Sequence, residues 1–130
     1  MSIPPISVAI IDDDKLYRTL LSKLLIRSGL VVMFHAENGK DCIDQLKTIF
    51  IHPMVVILDI EMPVMNGFDT AEFIRLNWPY IKIISNSSLI SEDIEELAIK
   101  SGADIFLPKS LTNKDLIATI NQLTFEKYYK

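Results

Sequence analysis

The sequence predicts an α/β fold: a doubly wound (βα)5 sandwich, with helices on both faces of a five-stranded parallel sheet. Three observations lead there. Five short runs rich in Val and Ile recur along the chain without polar alternation, as strands buried on both faces do. Segments with helical spacing of apolar residues separate the runs. The order is β-α throughout, and right-handed crossovers turn that order into a parallel sheet covered on both sides. In such sheets chemistry gathers at the carboxyl ends of the strands, beside the point where strand order reverses.

The first run, ISVAII (6–11), precedes a helix whose expected face is Leu16, Leu20, Leu21 and Leu24, ended by Gly29. The second, LVVMF (30–34), leads through the turn Asn38-Gly39 to a helix carrying Cys42, Ile43, Leu46 and Phe50. The third, MVVIL (54–58), is followed by a helix with Phe68, Ala71, Ile74 and Trp78, stopped before Pro79. After the fourth, IKII (81–84), Ile94, Leu97 and Ala98 mark a helix capped by Ser91, with Glu92 and Asp93 at the positive end of its dipole. The fifth, IFL (105–107), precedes Leu116, Ile117, Ile120 and Leu123 behind Thr112-x-x-Asp115, a capping-box pattern.

A length of 130 residues suits one domain with a real core, and a hydrophobic share of 49% argues against disorder. No apolar run reaches the length of a membrane span, and MSIPPIS lacks the features of a secretory signal. The single cysteine, Cys42, excludes an internal disulfide, suits a reducing cytosol and lies on an apolar helix face, as a core residue would. A net charge of −4 without a basic patch gives no reason to expect nucleic-acid binding. His35 and His52 have neither zinc spacing nor a nucleophile pattern around them. The expectation is a soluble, cytoplasmic protein with neither a membrane nor a nucleic acid as partner.

Polar residues collect where the strands end: Asp12, Asp13 and Asp14 after the first, Asp59 after the third, Ser87 and Ser88 after the fourth, Lys109 after the fifth. Singly, each has an ordinary explanation as a cap (Asp14 above all), a turn residue or a solvated charge. If the sheet order is 2-1-3-4-5, strands one, three and four are neighbours and these groups converge on one edge. Asp59 ends the apolar run VVILD, where a carboxylate is costly unless solvent, hydrogen bonds or a cation offset it. Three neighbouring carboxylates need a counter-charge, and a hard divalent cation is their natural partner. Magnesium suits a shell shared between protein oxygens and water. The formal charges then balance: three carboxylates against a +2 ion and Lys109. An ionised Asp59 in that setting can attack a phosphoryl group, with Lys109 neutralising the developing oxygen charge and Ser87 donating a hydrogen bond to a phosphoryl oxygen. A glycine-rich phosphate loop fits worse, because DDD stands where its glycines would be and would repel phosphate unless a metal intervenes.

With these residues in hand, the chain resembles a response-regulator receiver domain of the CheY-like superfamily, the phosphoacceptor module of two-component signal transduction. The likeness runs from about residue 6 to 123 through IIDDDKLYR, LDIEMPVMNG and SGADIFLPK, within a single domain expected over residues 1–130. It implies a flavodoxin-like sheet of order 2-1-3-4-5. It makes Asp59 the phosphoacceptor, and makes Asp12, Asp13, Asp59 and the backbone carbonyl of Glu61 the ligands of Mg2+. It casts Ser87 and Phe106 as the switch pair and Lys109 as the conserved-type cation. The phosphodonor would be a sensor histidine kinase or a histidine phosphotransfer protein. Phosphorylation would draw Ser87 toward the phosphate and turn Phe106 inward. The helix 4–strand 5–helix 5 face would then change shape and bind a partner, or a second copy as a homodimer. Such a chain is no enzyme in the usual sense, since it catalyses its own phosphotransfer and slow autodephosphorylation. Leu89, two positions beyond Ser87, would shield the phospho-form from water.

Four features depart from the family pattern: Ser110 follows Lys109 where many members carry a cis proline, Ser85-Asn86 is polar where the family is usually apolar, Phe106 lacks the hydroxyl of the commoner tyrosine, and Leu89 is apolar. Two other readings remain beside this one. An aspartyl-nucleophile phosphatase wants a second aspartate two residues after the first, where this chain has Glu61. A binding module indifferent to phosphorylation has no need of all five site residues. The tail TFEKYYK, taken as lying after the last helix, is too short for a DNA-binding domain, which fits either a stand-alone receiver or a piece of a longer regulator.

Overall fold

In the computed structural model, which describes residues 4–129 and the side chains of residues 4–125, all five apolar runs become strands. They are β1 (Ser7–Ile11), β2 (Val31–Ala36), β3 (Val55–Leu58), β4 (Lys82–Ser87) and β5 (Ile105–Pro108). Between and after them lie α1 (Lys15–Arg27), α2 (Gly39–Thr48), α3 (Gly67–Asn77), α4 (Glu92–Ser101) and α5 (Asn113–Tyr129). The sheet is parallel, in the order β2-β1-β3-β4-β5 that the resemblance implies. One row of side chains, Ile10–Ile57–Ile84–Ile105, runs across four strands in register.

Successive strand residues point to opposite faces, and each face has its own core. Val8, Ile10, Val55, Ile57, Ile84 and Leu107 pack against Leu21 and Leu25 of α1 and Leu116 and Ile120 of α5. Ala9, Ile11, Val56, Leu58, Ile83 and Phe106 pack against α2, α3 and α4 through Cys42, Ile43, Leu46, Ala71, Ile74 and Ala98. Each large side chain buried in this way stabilises the fold by roughly 1.5–3 kcal/mol. Four helices start on side-chain caps: Asp14, Asn38, Asn66 and Ser91 accept from the N–H of Tyr17, Asp41, Asp69 and Ile94. Thr112 Oγ1 does the same for Asp115 N–H before α5. Among the described residues no helix is long and apolar enough to cross a membrane.

Where the structure differs from the expectation, it does so for identifiable reasons. In α1, Leu16 and Leu20 are 66% and 57% exposed, while Leu21 and Leu25 are buried. The helix is leucine-rich on more than one side, so spacing alone did not settle its rotation; packing turned Tyr17, Leu21, Leu24 and Leu25 inward. Phe50 lies beyond the end of α2 and is fully exposed. Leu97 is also exposed, and Ala98 takes the buried position. Strand β4 continues through Ser85, Asn86 and Ser87, polar residues that are all buried. The residues TFEKYY belong to α5, which runs to Tyr129, rather than following it.

Arg75 ties the far end of the sheet together. Its guanidinium donates to the carbonyls of Gly102, Pro79 and Ile81 and to Asp104 Oδ2, which also accepts from Ile83 N–H. Arg75→Ala leaves those acceptors without their donor and is expected to destabilise the fold by about 2–4 kcal/mol, read as a lower urea midpoint with unchanged slope. A midpoint equal to the wild type's would show that water replaces the guanidinium without loss.

Candidate functional site

Strand order reverses between β1 and β3, and two carboxylates leave the sheet there side by side. Asp12 N–H donates to Ala36 O, and Asp59 N–H to Ile11 O, so the ladder carries each residue one step past its strand. Both side chains are buried. Asp12 Oδ1 accepts from Asp14 N–H at 3.0 Å, and its own carbonyl accepts from Arg18 Nη1. Asp59 Oδ1 accepts from Ile60 N–H at 2.9 Å. Asp13 is exposed, and carboxylate oxygens of Asp12, Asp13 and Asp59 lie within 4.8 Å of one another.

Lys109 enters from β5. Its N–H donates to Ser87 O at 2.8 Å, and its Nζ sits 2.7 Å from Asp12 Oδ2 and 3.6 Å from Asp59 Oδ1. The contacts of Asp59 thus fall on Oδ1, and Oδ2 is the oxygen left for an incoming group. The Lys109–Ser110 peptide is trans, as are all those among the described residues.

Burial and the neighbouring Asp12 charge push Asp59 up to about 6, against the pull of Lys109 and of the Ile60 N–H. Burial works against the charge on Lys109, yet its hydrogen bond to Asp12 and the charges of Asp59 and Asp12 hold its pKa above the ordinary lysine value. One lysine therefore does not neutralise the cluster. Three clustered carboxylates, one exposed, one with an uncommitted oxygen, form a donor set of the hard-oxygen kind that fits a divalent cation.

Local backbone brings the loop after β3 close. Gly67 N–H donates to Ile60 O, and a Cβ on Gly67 would fall 2.1 Å from Asp59 O, so only glycine lets α3 start against this strand end. Val64, with φ 69°, sits in a left-handed γ-turn closed by Met65 N–H to Pro63 O at 2.7 Å. A β-branched residue there is strained, and strain of this kind concentrates at functional sites.

The other expected residues are nearby but differently engaged. Ser87 is buried, and its Oγ accepts from Leu89 N–H at 3.0 Å, so the hydroxyl keeps its own proton to give. Glu61 is exposed and lines a groove with Asp13, Asn66 and Leu89. Phe106 is 7% exposed, already inside the core on the α3 and α4 side. Cys42 is buried, and burial pushes its thiol up, as befits a core residue.

Tyr17 was not among the expected site residues, and Asn86 stood only as a departure from the family pattern. Tyr17 OH donates to Asn86 Oδ1 at 2.6 Å, and Asn86 Nδ2 donates to Leu107 O at 3.1 Å. Lys109 Nζ lies 4.5 Å from the centre of the Tyr17 ring. Burial pushes the Tyr17 hydroxyl up, with Asp12 and Asp59 adding to it and Lys109 opposing. No local pattern links positions so far apart in sequence; the polar Ser85-Asn86 in an otherwise apolar strand was the one visible sign.

The chain matches the family model described as the response regulator receiver domain over residues 8–121. It is 31% identical to the chemotaxis protein CheY of Thermotoga maritima over 117 residues, covering 90% of this chain and 96% of that protein. It is 29% identical to the nitrate/nitrite response regulator protein NarL of Escherichia coli over 119 residues, which is 91% of this chain but only 54% of that longer protein. The response regulator domain of Thermotoga maritima CheB superposes with a TM-score of 0.80 at 27% identity, covering 92% of this chain and 96% of that one.

Proposed function

The chain belongs to the response regulator receiver domain family, a family of signalling domains, and on that premise we propose that Asp59 is its phosphoacceptor and that residues 1–130 act as one receiver unit with its core at about 6–123. The observation that carries this is the placement of Asp59: buried, raised in pKa, held through Oδ1 by Ile60 N–H and Lys109, with Oδ2 uncommitted.

Asp12, Asp13, Asp59 and the Glu61 backbone carbonyl would hold Mg2+, which supplies the positive charge that keeps Asp59 ionised and orients the phosphoryl oxygens. Asp59 Oδ2 attacks the phosphorus of a phosphohistidine on a sensor kinase or histidine phosphotransfer protein. The O–P bond forms as the P–N bond breaks, and the departing imidazole takes up a proton. Lys109 Nζ, already between Asp12 and Asp59, moves toward the phosphoryl oxygen charge. Ser87 donates a hydrogen bond from its hydroxyl to another phosphoryl oxygen. Leu89, at the rim of the same edge, shields the acyl phosphate from water, and the only chemistry the chain performs is its own phosphotransfer and slow autodephosphorylation.

Phe106 already faces inward, so phosphorylation acts by favouring an inward ring rather than by creating one, a shift of population. The readout face is α4, β5 and α5, where Leu97 stands exposed, and it takes a partner or a second copy of the chain. This reading places the chain in the cytoplasm with its donor, and without direct contact to membrane or nucleic acid.

Acetyl phosphate with magnesium is expected to add one phosphoryl group, visible by intact-protein mass spectrometry, and Asp59→Ala is expected to add none. Failure to gain mass under conditions that load a control receiver would overturn the reading.

A further inference from the structure

Lys109 is a long side chain on a loop, and holding it in one place costs rotamer entropy. Asp12 supplies one anchor for Nζ. The other side of the ammonium meets the face of Tyr17, which comes from α1. That ring is itself fixed, because its hydroxyl donates to Asn86 of β4. Asn86 in turn donates to Leu107 O, two residues before Lys109 on β5. The contacts close a circuit, Lys109–Tyr17–Asn86–Leu107, that joins α1, β4 and β5 around the base of the lysine.

Asn86 is 2% exposed, beside a sheet face otherwise made of Ile, Val and Leu. A buried amide at such a position is unfavourable unless both its donor and its acceptor are used. Both are used here, and both within this circuit.

We infer that Tyr17, locked by Asn86, is a positioning residue for Lys109, setting where the ammonium meets the phosphoryl group. This rests on the phosphoacceptor reading above. The aromatic face attracts the ammonium and excludes water from one side of it, while the hydroxyl bond prevents the ring from swinging aside. Ser87 works from the opposite sheet face, so the site is braced on the α1 side and switched on the α4 side.

Three variants separate the parts of the circuit: Tyr17→Phe keeps the ring without its lock, Tyr17→Leu removes the ring, and Asn86→Val removes the lock and its tie to β5. Initial rates of phosphorylation by acetyl phosphate in magnesium are expected to fall about two- to threefold in Tyr17→Phe and Asn86→Val, and about five- to tenfold in Tyr17→Leu. In the resting protein the ring should shift the Lys109 Hε proton resonances upfield. That shift should vanish in Tyr17→Leu and shrink in Tyr17→Phe. Leu25→Ala, on the buried face of the same helix, should lower the melting temperature and leave both readouts near wild type.

A Tyr17→Leu rate and Hε shift equal to those of the wild type, or rate losses that merely follow melting temperature across all four variants, overturn the inference. A wild-type chain that takes up no phosphoryl group overturns the functional reading instead. The Hε shift then still decides whether Tyr17 holds Lys109.

Discussion

Lys109→Met is expected to slow phosphoryl uptake on Asp59 by about a hundredfold, the usual loss when one charged group facing a developing oxyanion is removed. The same substitution should strengthen magnesium binding severalfold, because the ammonium 2.7 Å from Asp12 Oδ2 competes with a cation for the same carboxylates. The two effects have opposite signs and separate chemistry from metal binding. Time courses with acetyl phosphate give the first, and calorimetric titration with magnesium gives the second. Uptake at the wild-type rate would remove Lys109 from the proposed mechanism, and loss of magnesium affinity would make it a structural support of the acidic cluster.

Asp59→Asn is expected to stabilise the metal-free chain at neutral pH. The folded carboxyl titrates at about 6 against an ordinary value of 3.8. Below about pH 4 the group is protonated in folded and unfolded chains alike and contributes nothing. Between about 4 and 6 the unfolded chain loses the proton while the folded chain keeps it, so stability falls as pH rises. Above about 6 the full penalty, on the order of 2–3 kcal/mol, is in place. Asparagine carries no charge and its Oδ1 can still accept from Ile60 N–H. In chelator at pH 7.5 the variant should therefore melt roughly 5–10 °C above wild type, and at pH 4 the gap should close. Adding magnesium should raise the wild type more than the variant. A gap that does not change with pH would mean that packing, and not the buried charge, sets the difference.

These two results bear on different parts of what was legible in the chain. Asp59 could be read directly, because a carboxylate at the end of VVIL is anomalous against its own neighbours. Its pairing with Asp12 followed from the 2-1-3-4-5 order that the family resemblance implies, since β-α alternation and crossover handedness narrow the choices without selecting one. Lys109 was placed by the same argument, and it does meet Asp12 and Asp59. The rotation of α1 was not legible: its leucines offer more than one apolar face, and only contact with the sheet and with Asn86 chose the face containing Tyr17. The length of β4 was underestimated for a related reason. A run of apolar residues marks a strand only where its side chains are apolar, and Ser85, Asn86 and Ser87 are strand residues with buried polar side chains.

By itself the sequence determined the alternation of elements, because periodicity is a local property, while the sheet order, and with it the convergence of Asp12, Asp13, Asp59 and Lys109, came from the resemblance to the receiver family. Only the tertiary structure decided which oxygen of Asp59 stays free, that Phe106 already lies inward, and that Tyr17 and Asn86 hold Lys109. These depend on distances of a few ångströms between side chains up to 92 positions apart, from Tyr17 to Lys109, and no pattern along the chain encodes them.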